Sequence, residues 1–196
     1  MRQFKTEKRL NKITKTLVER QHSLAVIIEN VHDPHNVSAI FRSCDAVGVP
    51  NVSLLYTNED FPKINRITSA SSQKWVTKDT YSSVKECFDD YHTNGFKIYA
   101  SLLSEDAVDL YDIDFTEKVA VVLGNEHRGI SDEVKELADA VFYIPMHGMI
   151  QSLNVSVAAA VTLYEAQRQR REKGLYEKSE LPKEEFEKLV DEWCKK

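Results

Sequence analysis

Three polar clusters hold the side chains able to do chemistry. The first, Glu29-Asn30-Val31-His32-Asp33-Pro34-His35-Asn36, leads to Arg42. The second is Gly124-Asn125-Glu126-His127-Arg128-Gly129, and the third runs from Ile144-Pro145-Met146 to Ser152-Leu153-Asn154-Val155-Ser156. His32, Asp33 and His35 have metal-binding atoms, but no further ligands follow at a recognisable spacing, so no metal is expected. Gly124 and Gly129 are spaced as in a phosphate-binding loop, yet Ile130 stands where the required Lys would be. No Gly-x-Gly-x-x-Gly follows the first apolar run, which removes the dinucleotide fingerprint. Ser152 and Ser156 lack the Gly-x-Ser-x-Gly setting of an activated nucleophile, and their chemistry alone favours helix capping.

The elements that must position these clusters alternate. Leu24-Ala25-Val26-Ile27-Ile28 reads as a strand buried on both faces. Val37, Ile40, Phe41, Cys44 and Val47 follow at helical spacing, with Asn36 as the expected N-cap and Gly48 as the stop. Strands are expected over 52–56, 96–103, 118–123 and 141–144, and helices over 83–94, from Ser131, over 154–171 and over 181–196. The segment 65–74 is polar and poor in core material, and reads as a loop or a short helix start. The pattern is α/β, a largely parallel sheet flanked by helices, and ligands in such sheets gather beyond the carboxyl ends of the strands, where the three clusters fall.

Bulk properties narrow the setting. Hydrophobic residues at 42% and charged residues at 29% provide an ordinary core under a charged surface. There is no signal-peptide pattern and no apolar run long enough to span a bilayer, so a cytoplasmic protein without membrane partners is expected. Cys44, Cys87 and Cys194 are widely separated, which argues against a zinc ribbon or a disulfide framework. The net charge of −5 speaks against nucleic acid until its distribution is considered. Residues 1–20 hold seven basic side chains against Glu7 and Glu19, a local balance of +5, and the remainder carries −10. Such asymmetry suggests a nucleic-acid contact at the basic end, although a solvated helix face has the same composition.

Taken together, the three clusters resemble the three motifs of the SPOUT superfamily, specifically the SpoU/TrmH branch of RNA 2′-O-ribose methyltransferases. Asn36 and Arg42 match the first motif, Asn125-Glu126 with Gly129 the second, and the stretch from Ile144 to Ser156 the third. Lys74-Trp75-Val76 and the helix ending Glu165-Ala166-Gln167-Arg168-Gln169-Arg170 are similar to the tRNA-modifying members acting on a D-loop guanosine.

The resemblance implies a domain over 21–173 whose C-terminal part forms a trefoil knot, a basic helical extension over 1–20 and a helical extension over 174–196. It implies S-adenosyl-L-methionine as cofactor, lined by Ser101, Leu123, Gly124, Ile144, Met146 and Leu153, and a homodimer in which the partner completes each site. It assigns catalysis to Arg42, Asn36, Glu126, Ser152 and Asn154, with Asn36 or Glu126 orienting Arg42, or Glu126 the ribose. A guanidinium stays protonated at working pH, so the proton acceptor is left between Arg42 in a special setting, His35 and an RNA phosphate. Lys8, Arg9, Arg66 and Arg168 are the expected tRNA contacts. Two other readings share these motifs: methylation of ribosomal RNA or of a tRNA wobble ribose, and a non-catalytic RNA-binding module.

Overall fold

The computed structural model describes residues 2, 5–57 and 74–196; Arg66 lies outside them. The elements are helix α1 (Glu7–Val18), strand β1 (Leu24–Glu29), α2 (Pro34–Val47), β2 (Asn51–Leu55), β3 (Thr77–Tyr81), α3 (Val84–Thr93), β4 (Lys97–Ser101), β5 (Val108–Asp109), β6 (Val119–Leu123), α4 (Asp132–Leu137), β7 (Ala140–Tyr143), α5 (Val155–Glu172) and α6 (Lys183–Trp193). The strands form one sheet in the order β3-β2-β1-β6-β4-β7-β5. Every pairing is parallel, with Ala25 opposite Ala120 and Val26 opposite Val52.

The apolar run of β1 divides its side chains between two layers, as a strand covered on both faces must. Leu24, Val26 and Ile28 meet α2 and α5 through Ile40, Phe41 and Leu163. Ala25 and Ile27 meet α3 and α4 through Phe88 and Val134. Each of the Leu, Val and Ile side chains contributes roughly 1.5–3 kcal/mol by leaving water. A satellite core of Ile13, Leu17, Val190 and Trp193 joins α1 to α6.

Several expectations change on folding. Asp33 caps α2, its carboxylate accepting from the His35 N–H, while Asn36 lies inside the first turn. Pro34 at the first helical position explains the shift, because its fixed φ suits that place. The polar β3 and the two-residue β5 are strands that the sequence does not announce. β3 is an exposed edge strand, Thr77-Lys78-Asp79-Thr80-Tyr81, with no apolar alternation to announce it. The basic balance of the N-terminal segment is also reduced. Arg20 is buried and bonded to Asp45, Val49 and Trp75, and Arg2 pairs with Glu187 and Asp191 on α6.

Candidate active site

The loops leaving β1 and β6 and the loop entering α5 meet beyond the carboxyl ends of the central strands. Glu126 is their hub. Its carboxylate accepts from the backbone N–H of His32 at 3.1 Å, that of Asp33 at 3.3 Å and the amide of Asn36 at 2.8 Å. The Asn36 amide therefore turns its oxygen outward, where it accepts from Asn154 Nδ2 at 3.1 Å. Asn154 in turn caps α5, its Oδ1 accepting from the Ser156 N–H at 2.9 Å and the Ser156 hydroxyl at 2.6 Å. A chain of hydrogen bonds thus links all three clusters. Burial raises the Glu126 pKa, but the bonds from Asn36 and from the backbone of Glu126, His32 and Asp33 outweigh it and hold the carboxyl below its ordinary value.

A second layer, built from Asn125 and Gly129 of the second motif together with Asn30 and Thr57, for which the sequence suggested no role, supports this one. Asn30 takes φ +49°, a left-handed geometry that Asn tolerates better than most residues. Its side chain prolongs the pairing of β1 with β2 by accepting from the Thr57 N–H at 3.1 Å, while its carbonyl accepts from Asn125 Nδ2 at 2.7 Å. Asn125 Oδ1 accepts from the N–H groups of His127 and Arg128, folding the second loop into an Asx turn. Asn125 and Gly129 exchange both backbone bonds at 2.8 Å. A Cβ on Gly124 would lie 2.3–2.4 Å from the Gly129 and Ile130 backbone, so that glycine is required by the loop's own closure. The only sequence signal for this layer is an Asn directly after β1 and another two residues after β6. Beneath it Glu29, buried and accepting from the Ser131 N–H, anchors the start of α4; burial pushes its carboxyl up, partly offset by Ser131.

Two adjoining cavities open beside the network. One, of about 120 Å³, is lined by Ile144, Met146 and Tyr143; the other, of about 590 Å³, by Leu123, Gly124 and Glu126. Ser101, Ser152 and Leu153 line both. All six residues expected at the cofactor therefore line one or both of these two cavities. From Met146 to Leu153 no backbone–backbone hydrogen bond forms among the described residues. The N–H and C=O groups of that loop are left for solvent or a ligand. Apolar walls with polar edges and an unpaired backbone fit S-adenosylmethionine, a molecule with a flat base, a hydroxylated ribose and a charged amino-acid tail.

The remaining expected residues are more dispersed. Arg42 is exposed on α2 and makes no hydrogen bond or ion pair among the described residues. Asn36 and Arg42 are six residues apart, about 120° around the helix and about 9 Å along it, so Asn36 does not hold the guanidinium. Glu126 is likewise bonded to the first loop and not to Arg42. Ser152 is exposed at the cavity mouth. Lys8 is exposed and Arg9 lies over the Trp75 ring at 5.3 Å. Arg168 is already engaged, with both Glu165 and Glu172 at 2.8 Å, which reduces its availability to a phosphate. No group of three or more His, Cys, Asp or Glu among the described residues is placed to hold a metal.

Comparison with known proteins places this geometry in a family. The chain is 46% identical to the tRNA (guanosine(18)-2′-O)-methyltransferase of Thermus thermophilus, over 98% of both chains. Its fold matches the crystal structure of the Aquifex aeolicus TrmH/SpoU tRNA modifying enzyme with a TM-score of 0.89 and 42% identity, covering 96% of each chain. It also matches the SpoU methyltransferase AviRb from Streptomyces viridochromogenes in complex with the cofactor AdoMet, with a TM-score of 0.69 and 28% identity over 80% of this chain and 61% of that one. Residues 23–164, which carry all three motif clusters, match the model of the SpoU rRNA Methylase family, and the chain belongs to that family.

Proposed function

We propose that this protein methylates the ribose 2′-hydroxyl of a guanosine in the tRNA D-loop, using S-adenosyl-L-methionine. The observation that carries the reading is the hydrogen-bonded chain Glu126–Asn36–Asn154, which joins the three motif loops around the cavity. Near full-length similarity to a tRNA (guanosine(18)-2′-O)-methyltransferase supports the choice of tRNA over ribosomal RNA.

When bound, S-adenosylmethionine supplies a methyl group activated by its sulfonium. Ser101, Leu123, Gly124, Ile144, Met146 and Leu153 would hold it, and the loop over 146–153 would exclude water. Glu126 and Asn36 keep the first and second loops in register, and Asn154 keeps the third loop against them. Arg42, cationic and unengaged, clamps the RNA phosphate and donates to the ribose hydroxyl, raising its acidity. The hydroxyl proton passes to a phosphate oxygen or to the His35 imidazole. His35→Ala separates the two: retained turnover assigns the proton to phosphate.

We infer further that the protein acts in the cytoplasm as a homodimer with a C-terminal knot. Exposed Val157 (46%) and Tyr164 (52%), with half-buried Val161 between them, form an apolar stripe on α5 suited to a second copy. Sedimentation velocity tests this, and a monomer at micromolar concentration would overturn it. The function itself is tested by methyl transfer from labelled S-adenosylmethionine to unmodified total tRNA, followed by nucleoside analysis. A 2′-O-methylguanosine mapped to the D-loop is expected. A methylated pyrimidine ribose, or transfer only to ribosomal RNA, would overturn the substrate assignment.

A further inference from the structure

The last residue of β1 is a carboxylate in an otherwise apolar strand. Because side chains alternate along a strand, Glu29 follows Ala25 and Ile27 onto the α3 and α4 side of the sheet, where Ile130 and Val134 belong to the core. It is 1% exposed. One oxygen, Oε2, accepts from the Ser131 N–H at 2.9 Å, while Oε1 is buried and has no partner among the described residues. Burial pushes the carboxyl pKa up, Ser131 opposes this through its side chain and its N–H, and Glu133 on α4 adds to the rise. Stability does not account for a carboxylate at this place. An apolar side chain of similar size would fill the same layer without burying an unpaired oxygen.

The loop that Glu29 reaches does account for it. The β1–β6 pairing ends with Ile28 opposite Leu123, and beyond it the hold of β1 on the second motif loop passes to Glu29 and Asn30. The Asn30 carbonyl accepts from Asn125 Nδ2 at 2.7 Å at the start of that loop, and Glu29 takes the Ser131 N–H at its end. Between these points the loop doubles back, with Asn125 and Gly129 paired through both backbone bonds. Gly124 abuts the returning limb so closely that a Cβ on it would lie 2.3–2.4 Å from the Gly129 carbonyl and the Ile130 nitrogen. Gly124 also lines the larger cavity. The returning limb therefore cannot shift without moving Gly124 or opening the turn, and at Ser131 the Glu29 carboxylate holds that limb to the sheet.

We propose that Glu29 is a positioning residue for the cofactor, which through Ser131 sets the returning limb of the second motif loop and so the place of Gly124 in the S-adenosylmethionine cavity. Being buried, it acts through the loop and not by contact. The proposal rests on the cofactor reading above. The role requires an acceptor at this position and no charge, since with a proton on Oε1 the other oxygen still takes the Ser131 N–H. A glutamine reproduces that state. A leucine fills the space without an acceptor, and an aspartate keeps the charge but draws the acceptor back by one methylene.

The test compares E29Q, E29L and E29D as full-length proteins. Calorimetric binding of S-adenosylmethionine, binding of unmodified tRNA, melting curves and methyl transfer at varied cofactor concentration are measured for each. E29L is expected to weaken cofactor binding roughly tenfold and to raise the cofactor KM in proportion. Its turnover at saturating cofactor should stay within about threefold of wild type, and its tRNA Kd within about twofold. E29Q should bind cofactor within about threefold of wild type, and E29D should lose roughly threefold to tenfold. An E29L protein that binds cofactor as tightly as wild type below its melting transition would overturn the proposal, whatever its melting temperature, and leave Glu29 as a packing residue. E29Q as weak as E29L would also overturn it, because the acceptor would then not be what matters. If E29L does not fold, E29D decides, and wild-type cofactor affinity in E29D would overturn the role. These failures leave the methyltransferase reading standing, whereas a wild-type protein that does not bind S-adenosylmethionine would overturn both.

Discussion

The two ends of the central strand pair β1–β6 use charged side chains in opposite ways. At the amino ends, Arg170 is 0% exposed and all its nitrogens are engaged. It donates to the carbonyls of Phe115 at 2.8 Å, Ser23 at 3.0 Å and Glu117 at 2.7 Å, to the Ser23 hydroxyl at 2.8 Å and to Gln21 at 3.2 Å. Burial pushes its pKa down, and Glu180 at 3.5 Å opposes that. At the carboxyl ends, Glu126 also satisfies backbone groups, but a cavity opens beside it and an unengaged guanidinium stands on the neighbouring helix. The first end stabilises the fold because no hydrogen-bonding capacity is left over. The second retains space and, among the described residues, a cation without a partner, the two features on which the proposed chemistry draws.

Substitutions can break this contrast, and the largest effect should come from the closed end. Arg170→Ala leaves the Phe115 and Glu117 carbonyls without their donor and the Ser23 carbonyl with only the Val119 N–H, and a loss of about 3–5 kcal/mol in chemical denaturation is expected. A loss below about 1 kcal/mol would show that water replaces the guanidinium and that this end is not sealed. At the open end, Arg42→Ala should reduce turnover about a hundredfold to a thousandfold. Stability should change by less than about 0.5 kcal/mol, because the side chain is exposed and unbonded. Normal turnover with unchanged binding would remove Arg42 from catalysis.

Glu126→Gln should cost about 1–2 kcal/mol, since an amide turns a donor toward N–H groups that need an acceptor. Turnover should fall about tenfold through misplaced loops. The folded pKa of Glu126 is depressed. Its stabilisation is therefore complete above the unfolded carboxylate value of about 4.3 and disappears as pH falls through the lower folded value. The variant should lose that portion of the acid unfolding limb, and an unchanged limb would refute the assignment. The smallest effect is expected at Asp33→Ala, where loss of the α2 cap costs about 1 kcal/mol. A drop in turnover larger than the drop for Glu126→Gln would show that the first loop is set by its cap more than by Glu126.

Much of this architecture was legible before folding was considered. The unbroken apolar run of β1 and that of β6 required strands covered on both faces. Spacing located α2 and α5, and the order of the three polar clusters identified the family. What was not legible has a common physical cause. β3 takes its conformation from pairing with β2, and its polar residues show no periodicity of their own. Pro34 fixed the start of α2 and left Asp33 as its cap, while the Asn36 side chain, inside the first turn, was recruited by Glu126, ninety positions away in the chain. Arg20 and Arg168 counted as free basic charge in the sequence, but the fold set them against Asp45 and Glu165.

The sequence by itself determined which segments are apolar, how the helices and strands alternate and which residue types stand at the loop ends, because these follow from local periodicity and composition. Only the tertiary structure decided which arginine is sealed, which is held and which is left unengaged. That choice depends on partners distant in sequence whose distance, burial and remaining hydrogen-bonding capacity exist only after the chain has packed.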